Sequence, residues 1–409
     1  MSQVRAYFNS VLVLLKGSVF AHIITLLSLP ILSRLYSQEI FGELAVLISS
    51  SAILSIFLPL RLDLAIYNSQ SEADEAHTWL AALWVSFVNL LLSYLILIIF
   101  ELRLTELFNI NLLTLYLIPL SAFLLVLFNL NTNYSIALEK YDTVKNVKIF
   151  RSALLATSQI SLSFISTGLI LGEMIGRGGG VWQLYRSFKH KIAKHIKSLE
   201  IKEQLKRHSG FIKFSVIGGI SNSTSIQLPS LFFASQYGLQ LAGVYLITNR
   251  LAAIPIALIG QSMQQVFSSK FSKLSTNDER LNLVYSVVFR SMCVSLCFFG
   301  TFWLTLPFVV PLFFGEGWSQ VTEFLILLFP MLASQLGIFP ITNVLNLLNK
   351  QSWSMVWDLT RLLSLILVIF VTVSFRLSGE VFLLTYSLVM SSFYFVLLFL
   401  VRRVIKNGK

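Results

Sequence analysis

Twelve apolar runs, most of them about 20 residues or longer, follow one another along nearly the whole chain. They lie near 9–33, 40–62, 79–100, 111–132, 148–165, 167–185, 211–235, 240–265, 284–314, 320–347, 354–375 and 380–401. A helix of that length matches the thickness of bilayer hydrocarbon. At 56% hydrophobic and 12% charged residues, with a mean hydropathy of +0.77, a 409-residue chain has too little polar surface for a soluble protein. The expectation is an all-α integral membrane protein. After "MSQVR" the apolar stretch runs past Lys16 to Leu35, too long for the core of a cleavable signal, so it is read as an uncut first span.

The charges orient the spans. With the N-terminus inside, 25 cations fall on the cytoplasmic side and three (Arg34, Arg103, Arg376) on the other. Lys16, Arg61 and Arg250 sit in spans or at their mouths. The bias predicts an even number of spans with both termini cytoplasmic, and it accounts for the net charge of +12 without invoking nucleic acid. Trp79, Trp182, Trp318, Trp353 and Trp357 fall near span ends, where amphipathic rings favour the interface, and some of them serve ordinary packing. Cys293 and Cys297 lie four apart inside a span and read as bare thiols facing lipid or protein.

The longest polar stretch, "RSFKHKIAKHIKSLEIKEQLKRHSGFIKF" (186–214), divides the spans six and six. It reads as a basic amphipathic helix with Ile192, Ile196 and Leu199 on one stripe, resting on the anionic inner leaflet. His190, His195 and His208 within it read as solvated rather than metal-binding. The expected organisation is a six-helix lobe over 1–185, a cytoplasmic linker over 186–210 and a second six-helix lobe over 211–409. The halves echo each other: each carries a Lys at the start of its first span (Lys16, Lys213), a Leu-Pro toward the far end (Pro30, Pro229) and a Gly opening the next (Gly42, Gly243). Lys to Pro is 14 and 16 residues, and Pro to Gly 12 and 14. Two six-span halves of equal orientation fit a parallel repeat, the kind of interface at which transporters bind substrate.

A charge at mid-bilayer costs about 2.5–3.5 kcal/mol on insertion scales, so each one asks for a reason. Lys16 snorkels to the inner surface or faces a cavity; Arg250, beside Asn249 and deep in its span, is read as facing a cavity. Arg61 and Asp63 in "LPLRLDLAIY" point to nearly opposite faces of a helix, so each needs a separate partner or water. Glu173 and Arg177 are four apart and are expected to neutralise each other, and the Gly178–Gly180 run reads as close helix packing or a hinge. Cations outnumber acids in the leading spans of the two halves, so a site built there attracts an anion; two arginine forks would suit a diphosphate. A pump for cationic drugs is expected to carry a carboxylate early in its first span, and this span has none. No nucleotide-binding motif occurs, and the short outer loops leave no room for a glycosyltransferase site.

At "LPILSRLYSQEIFGELAVL", "LRLDLAIY" and "YGLQLAGVYLITNRLAAIPIALIGQSMQQVF" the chain resembles the O-antigen type polysaccharide flippases of the multidrug/oligosaccharidyl-lipid/polysaccharide exporter superfamily. The resemblance implies two six-helix lobes forming a V around a central cavity. It implies an undecaprenyl-diphosphate-linked oligosaccharide (a lipopolysaccharide or other surface-glycan repeat unit) moved across the bacterial inner membrane by alternating access. On that footing Arg250 and Arg61 hold the diphosphate, Lys16 and Arg34 shape the cavity field, Asn222, Asn249 and Gln227 contact sugar, and Asp63 is the candidate ion-coupled acid. No cofactor is implied beyond sodium or proton coupling. The partners implied are membrane lipids, a polysaccharide polymerase and a chain-length regulator. The alternatives are a cation-coupled small-molecule exporter of the same superfamily and a non-transporting scaffold for envelope assembly.

Overall fold

A computed structural model describes residues 2–69, 71–195, 201–348 and 350–407. Among these residues every regular element is a helix. The first half contains α1 (Ser2–Leu35), α2 (Gln38–Phe57), a single turn α3 (Leu62–Ala65), α4 (Glu72–Phe108), α5 (Leu112–Ala137), α6 (Tyr141–Ser161) and α7 (Gly168–His195). A short α8 (Ile201–Arg207) leads into α9 (Ser209–Tyr237) and α10 (Leu239–Pro255). There follow α11 (Gln261–Phe271), α12 (Asn277–Phe314), α13 (Gln320–Leu327), α14 (Phe329–Ile338), α15 (Val344–Leu347), α16 (Gln351–Ser374) and α17 (Gly379–Asn407). Each expected span has a helical counterpart. Among the described residues seven are long and apolar enough to cross a membrane by themselves, and the pair around α13 and α14, bent by 55°, is a broken span or a re-entrant loop.

Local chemistry sets the ends. Ser37, Ser71 and Asn111 each accept a backbone N–H in the first turn of α2, α4 and α5, and Thr276 with Glu279 forms a capping box on α12. Pro30 and Pro229 lie inside α1 and α9, the matching helices of the expected repeat. Pro255 closes α10, and a π-helical segment, Ile256–Gly260, carries the chain into α11.

The chain forms two compact units, one through Gly243 and one from Val244 to the end. In the first, Trp79, Phe128, Tyr134, Leu184, Phe188 and Ile192 build a core between α4, α5 and α7. Glycines let α7 approach α6: a Cβ at Gly172 would stand 2.5 Å from Gln159 Cγ, and one at Gly176 2.8 Å from Leu155 Cβ. Gly168, Gly172, Gly176 and Gly180 recur every four residues, a small-residue stripe that permits close approach of membrane helices. The close-packing reading of this region therefore holds, although Gly178 itself faces open space. In the second unit Phe267, Phe271, Val284, Ile338, Leu397 and Val401 form the core.

The first compact unit includes α9, which lies along α2 with Ser223 Oγ donating to the Ala52 carbonyl at 3.2 Å. Three sequence expectations change. The basic linker is not one free helix: its first part completes α7, where Ile192 is buried in the core. Ile196 and Leu199 lie outside the described residues, as do the side chains of His195 and Lys213. His208 is buried rather than solvated, whereas His190 is exposed. Lastly α2 ends at Phe57, not 62, because Pro59 cannot continue the backbone ladder. Trp182 and Trp353 are exposed as interface residues would be, Trp79 and Trp318 are packing residues, and both cysteines are free and exposed.

Candidate functional site

Beyond Pro59 the chain makes a left-handed break: Leu60 and Arg61 have φ of 49° and 63°. Non-glycine residues hold such angles at a cost of about 1–3 kcal/mol each and only where the surroundings enforce them. Asn89 Nδ2 donates to the Leu58 carbonyl at 2.9 Å and so closes the end of α2. The break turns the Arg61 side chain onto α9, so that a Cβ at Gly219 would stand 2.9 Å from Arg61 Nε and 3.2 Å from Cζ. Arg61 Nε is buried and makes no hydrogen bond among the described residues.

Asp63 follows in α3 and is buried, with Oδ1 unsatisfied. Burial pushes its carboxyl above the ordinary range, while the Arg61 charge and the amides of Asp63 and Leu64 pull it back. Around it, Asn133 Nδ2 donates to the Asp63 carbonyl at 2.9 Å and Tyr67 donates to Asn133 Oδ1 at 3.0 Å. The expected opposition of Arg61 and Asp63 on one helix does not apply, since the helix has ended. The two share one polar corner instead.

From that corner α9 runs back along α2. Asn222 is exposed one turn beyond Gly219, and Gln227 Oε1 accepts from Ser49 Oγ at 3.2 Å. Arg61, Asn222 and Gln227 therefore lie along one α2–α9 seam. Lys16 and Arg34 do not join it as a pair: both are exposed, and 18 residues of α1 put them about 27 Å apart along the helix. In the second unit Arg250 is half-buried on α10, and Asn249 hydrogen-bonds the hydroxyl of buried Tyr245, which also bonds Tyr386.

Several charges counted on the expected cytoplasmic side lie within helices rather than in loops. Arg177 is buried ten residues into α7, donating to Glu173 Oε1 at 2.8 Å and to Ser121 Oγ at 2.8 Å. Arg361 is buried in α16, 3.6 Å from Asp358 and 4.7 Å from the Trp357 ring centroid. Lys148 and Arg151 lie well inside α6. Hydropathy hides such positions, because a run of cations makes a span look shorter than it is. The excess of cations on the expected cytoplasmic side survives their removal from the loops.

Long apolar helices, with charges held at the break after α2 and inside α6, α7 and α16, mark a multi-pass membrane protein. The fold is shared with solved transporters. A mutant of the Vibrio cholerae MATE transporter VcmN superposes with a TM-score of 0.62 at 14% identity, covering 100% of this chain and 98% of that one. The lipid II flippase MurJ, in its inward closed conformation, gives 0.60 at 16% identity, with 100% and 87% covered. The family model described as "Polysaccharide biosynthesis protein" matches residues 31–323, and the chain belongs to that family. The succinoglycan biosynthesis transport protein ExoT of Rhizobium meliloti (strain 1021) is 24% identical over 310 residues, which is 71% of this chain. The match spans 59% of that relative's length.

Proposed function

We propose that the chain is a flippase for a polyprenyl-diphosphate-linked oligosaccharide, working by alternating access in a bacterial inner membrane with both termini cytoplasmic. The observation that carries this reading is Arg61: a guanidinium turned by a strained backbone onto a glycine of α9, with buried nitrogen and no ion pair among the described residues, in a member of a polysaccharide biosynthesis family. A guanidinium with a buried, unbonded Nε inside a membrane fold suits an anionic headgroup. Arg61 and Arg250 receive the diphosphate, Lys16 and Arg34 bias the potential along the route, and Asn222, Asn249 and Gln227 offer hydrogen bonds to sugar. Asp63, buried and shifted toward its neutral form, is the acid that couples transport to protons or sodium. O-antigen or another lipopolysaccharide unit is the proposed cargo class, delivered to a polymerase and chain-length regulator.

The test is complementation of a strain lacking the gene, read by surface glycan and by membrane protein level. Arg61→Gln and Arg250→Ala are expected to lose surface glycan at normal protein level. Wild-type glycan in both variants overturns the assignment of the site. Drug resistance on overexpression, with no effect on glycan, would instead favour a small-molecule exporter, and a scaffold would tolerate every one of these substitutions.

A further inference from the structure

We propose that Lys148 and Arg151 of α6, both half-buried, form a second oxyanion site inside the first unit, built to take one phosphate group. Arg151 lies ten residues from the start of α6, about 15 Å along its axis. Its Cζ sits 4.3 Å from the Phe128 ring centroid. Gly180 of α7 makes the room, since a Cβ there would stand 3.1 Å from Arg151 Cδ and 3.0 Å from the Phe128 ring. The aromatic face covers one side of the guanidinium and leaves its N–H edge for a ligand in the plane. Among the described residues the Arg151 nitrogens make no hydrogen bond, and none is sealed from water.

Lys148, three residues earlier on the same helix, is on a neighbouring position of its surface. Its Nζ bonds Ser18 Oγ of α1 at 3.0 Å, which leaves two of its three protons unspent. His22, one turn further along α1, is a third basic side chain within electrostatic reach of Lys148. The acid facing the group is Glu173, and Arg177 already holds it at 2.8 Å. Among the described residues neither Lys148 nor Arg151 is ion-paired, so the cluster carries two surplus positive charges.

A phosphate group bears close to two negative charges and strong acceptor oxygens, which matches one planar fork, one ammonium and a hydroxyl. The site stands apart from the α2–α9 seam and does not depend on the transport reading. The phosphate belongs to the carried lipid or to a free anion.

The experiment uses the full-length protein in dodecyl maltoside, a detergent without phosphate, with two probes: labelled orthophosphate and a polyprenyl diphosphate. Lys148→Gln with Arg151→Gln is expected to weaken binding by about tenfold or more, while Arg103→Gln, which removes an exposed cation outside both sites, leaves the orthophosphate signal unchanged. Loss of orthophosphate binding in the pair identifies a free-anion site. A wild type that ignores orthophosphate but binds the diphosphate lipid about tenfold better than the pair identifies the lipid's own phosphate. Equal binding of both probes by wild type and the pair overturns the proposal, as does a wild type that binds neither. If the pair does not elute as a single species, Lys148→Gln alone is read by the same criteria, with Arg151→Lys expected to retain binding.

Discussion

Gly243, in the first turn of α10, abuts Gly42, in the first turn of α2: a Cβ on Gly243 would stand 3.0 Å from the Gly42 amide nitrogen and 2.0 Å from the Gln38 carbonyl oxygen. The converse holds for Gly42, whose Cβ would fall 2.0 Å from the Leu239 carbonyl oxygen. These are the two glycines that correspond in the sequence repeat, so the feature shared by the halves is a mutual backbone contact. Backbone cannot swing aside as a flexible side chain can. Gly42→Ala and Gly243→Ala are each expected to destabilise by about 1–3 kcal/mol through overpacking, read as a lowered melting temperature of the purified protein.

The α6–α7 contact separates glycines that matter from one that does not. Gly172→Ala must displace Gln159, which stands 2.5 Å from the added carbon, whereas a Cβ at Gly178 meets nothing within 4 Å. Gly178→Ala is therefore expected to be neutral, or to stabilise by up to about 1 kcal/mol through helix propensity. Gly172→Ala should lower the melting temperature measurably. Similar melting temperatures for the two variants would argue against the glycine stripe as the packing device.

Much of this architecture is legible in the chain itself. Apolar length places the helices, and the Pro30/Pro229 and Gly42/Gly243 correspondences mark matching elements. What escapes is any place where charge and burial coincide. Lys145, Lys148 and Arg151 move the apparent start of the α6 span from Tyr141 to 148, so Lys148 and Arg151 look like residues of its first turn although α6 begins seven residues earlier. The end of α2 errs the other way: the apolar run continues through Leu58 and Leu60, and only Pro59 hints at the left-handed break that aims Arg61. The candidate site was thus legible as a list of residue types, while its geometry depends on a backbone feature that hydropathy does not register.

Glu173 and Arg177 are buried together, the two side chains only 6% and 4% exposed. Removing one partner leaves a charge without its counterion in a low-dielectric setting, at a cost of about 3–5 kcal/mol. Glu173→Gln is expected to reduce the yield of folded protein sharply. Glu173→Gln combined with Arg177→Met removes both charges at little change in volume and should recover most of the loss. A double variant no better than the single one would show that the pair is not the source of the cost.

The attachment of α8 should respond to pH through His208. Asp74 at the start of α4 accepts from Arg207 at 2.7 Å and from Gln204 at 3.1 Å, and Thr78 donates to Gln204 Oε1 at 3.3 Å. His208 is buried beside this clamp with Nε2 unsatisfied. Burial lowers its pKa below 6.5, the Arg207 charge lowers it further, and Asp74 opposes both. The folded state thus holds fewer protons on His208 than the unfolded state does. Stability is fully present above pH 6.5 and falls as the pH drops from there toward the folded pKa. The wild type is expected to lose more thermal stability between pH 7.5 and pH 5.5 than His208→Gln, which has nothing to titrate, over a span of about one pH unit on each side of the ordinary histidine value. Parallel losses in the two proteins would assign the acid sensitivity to other groups.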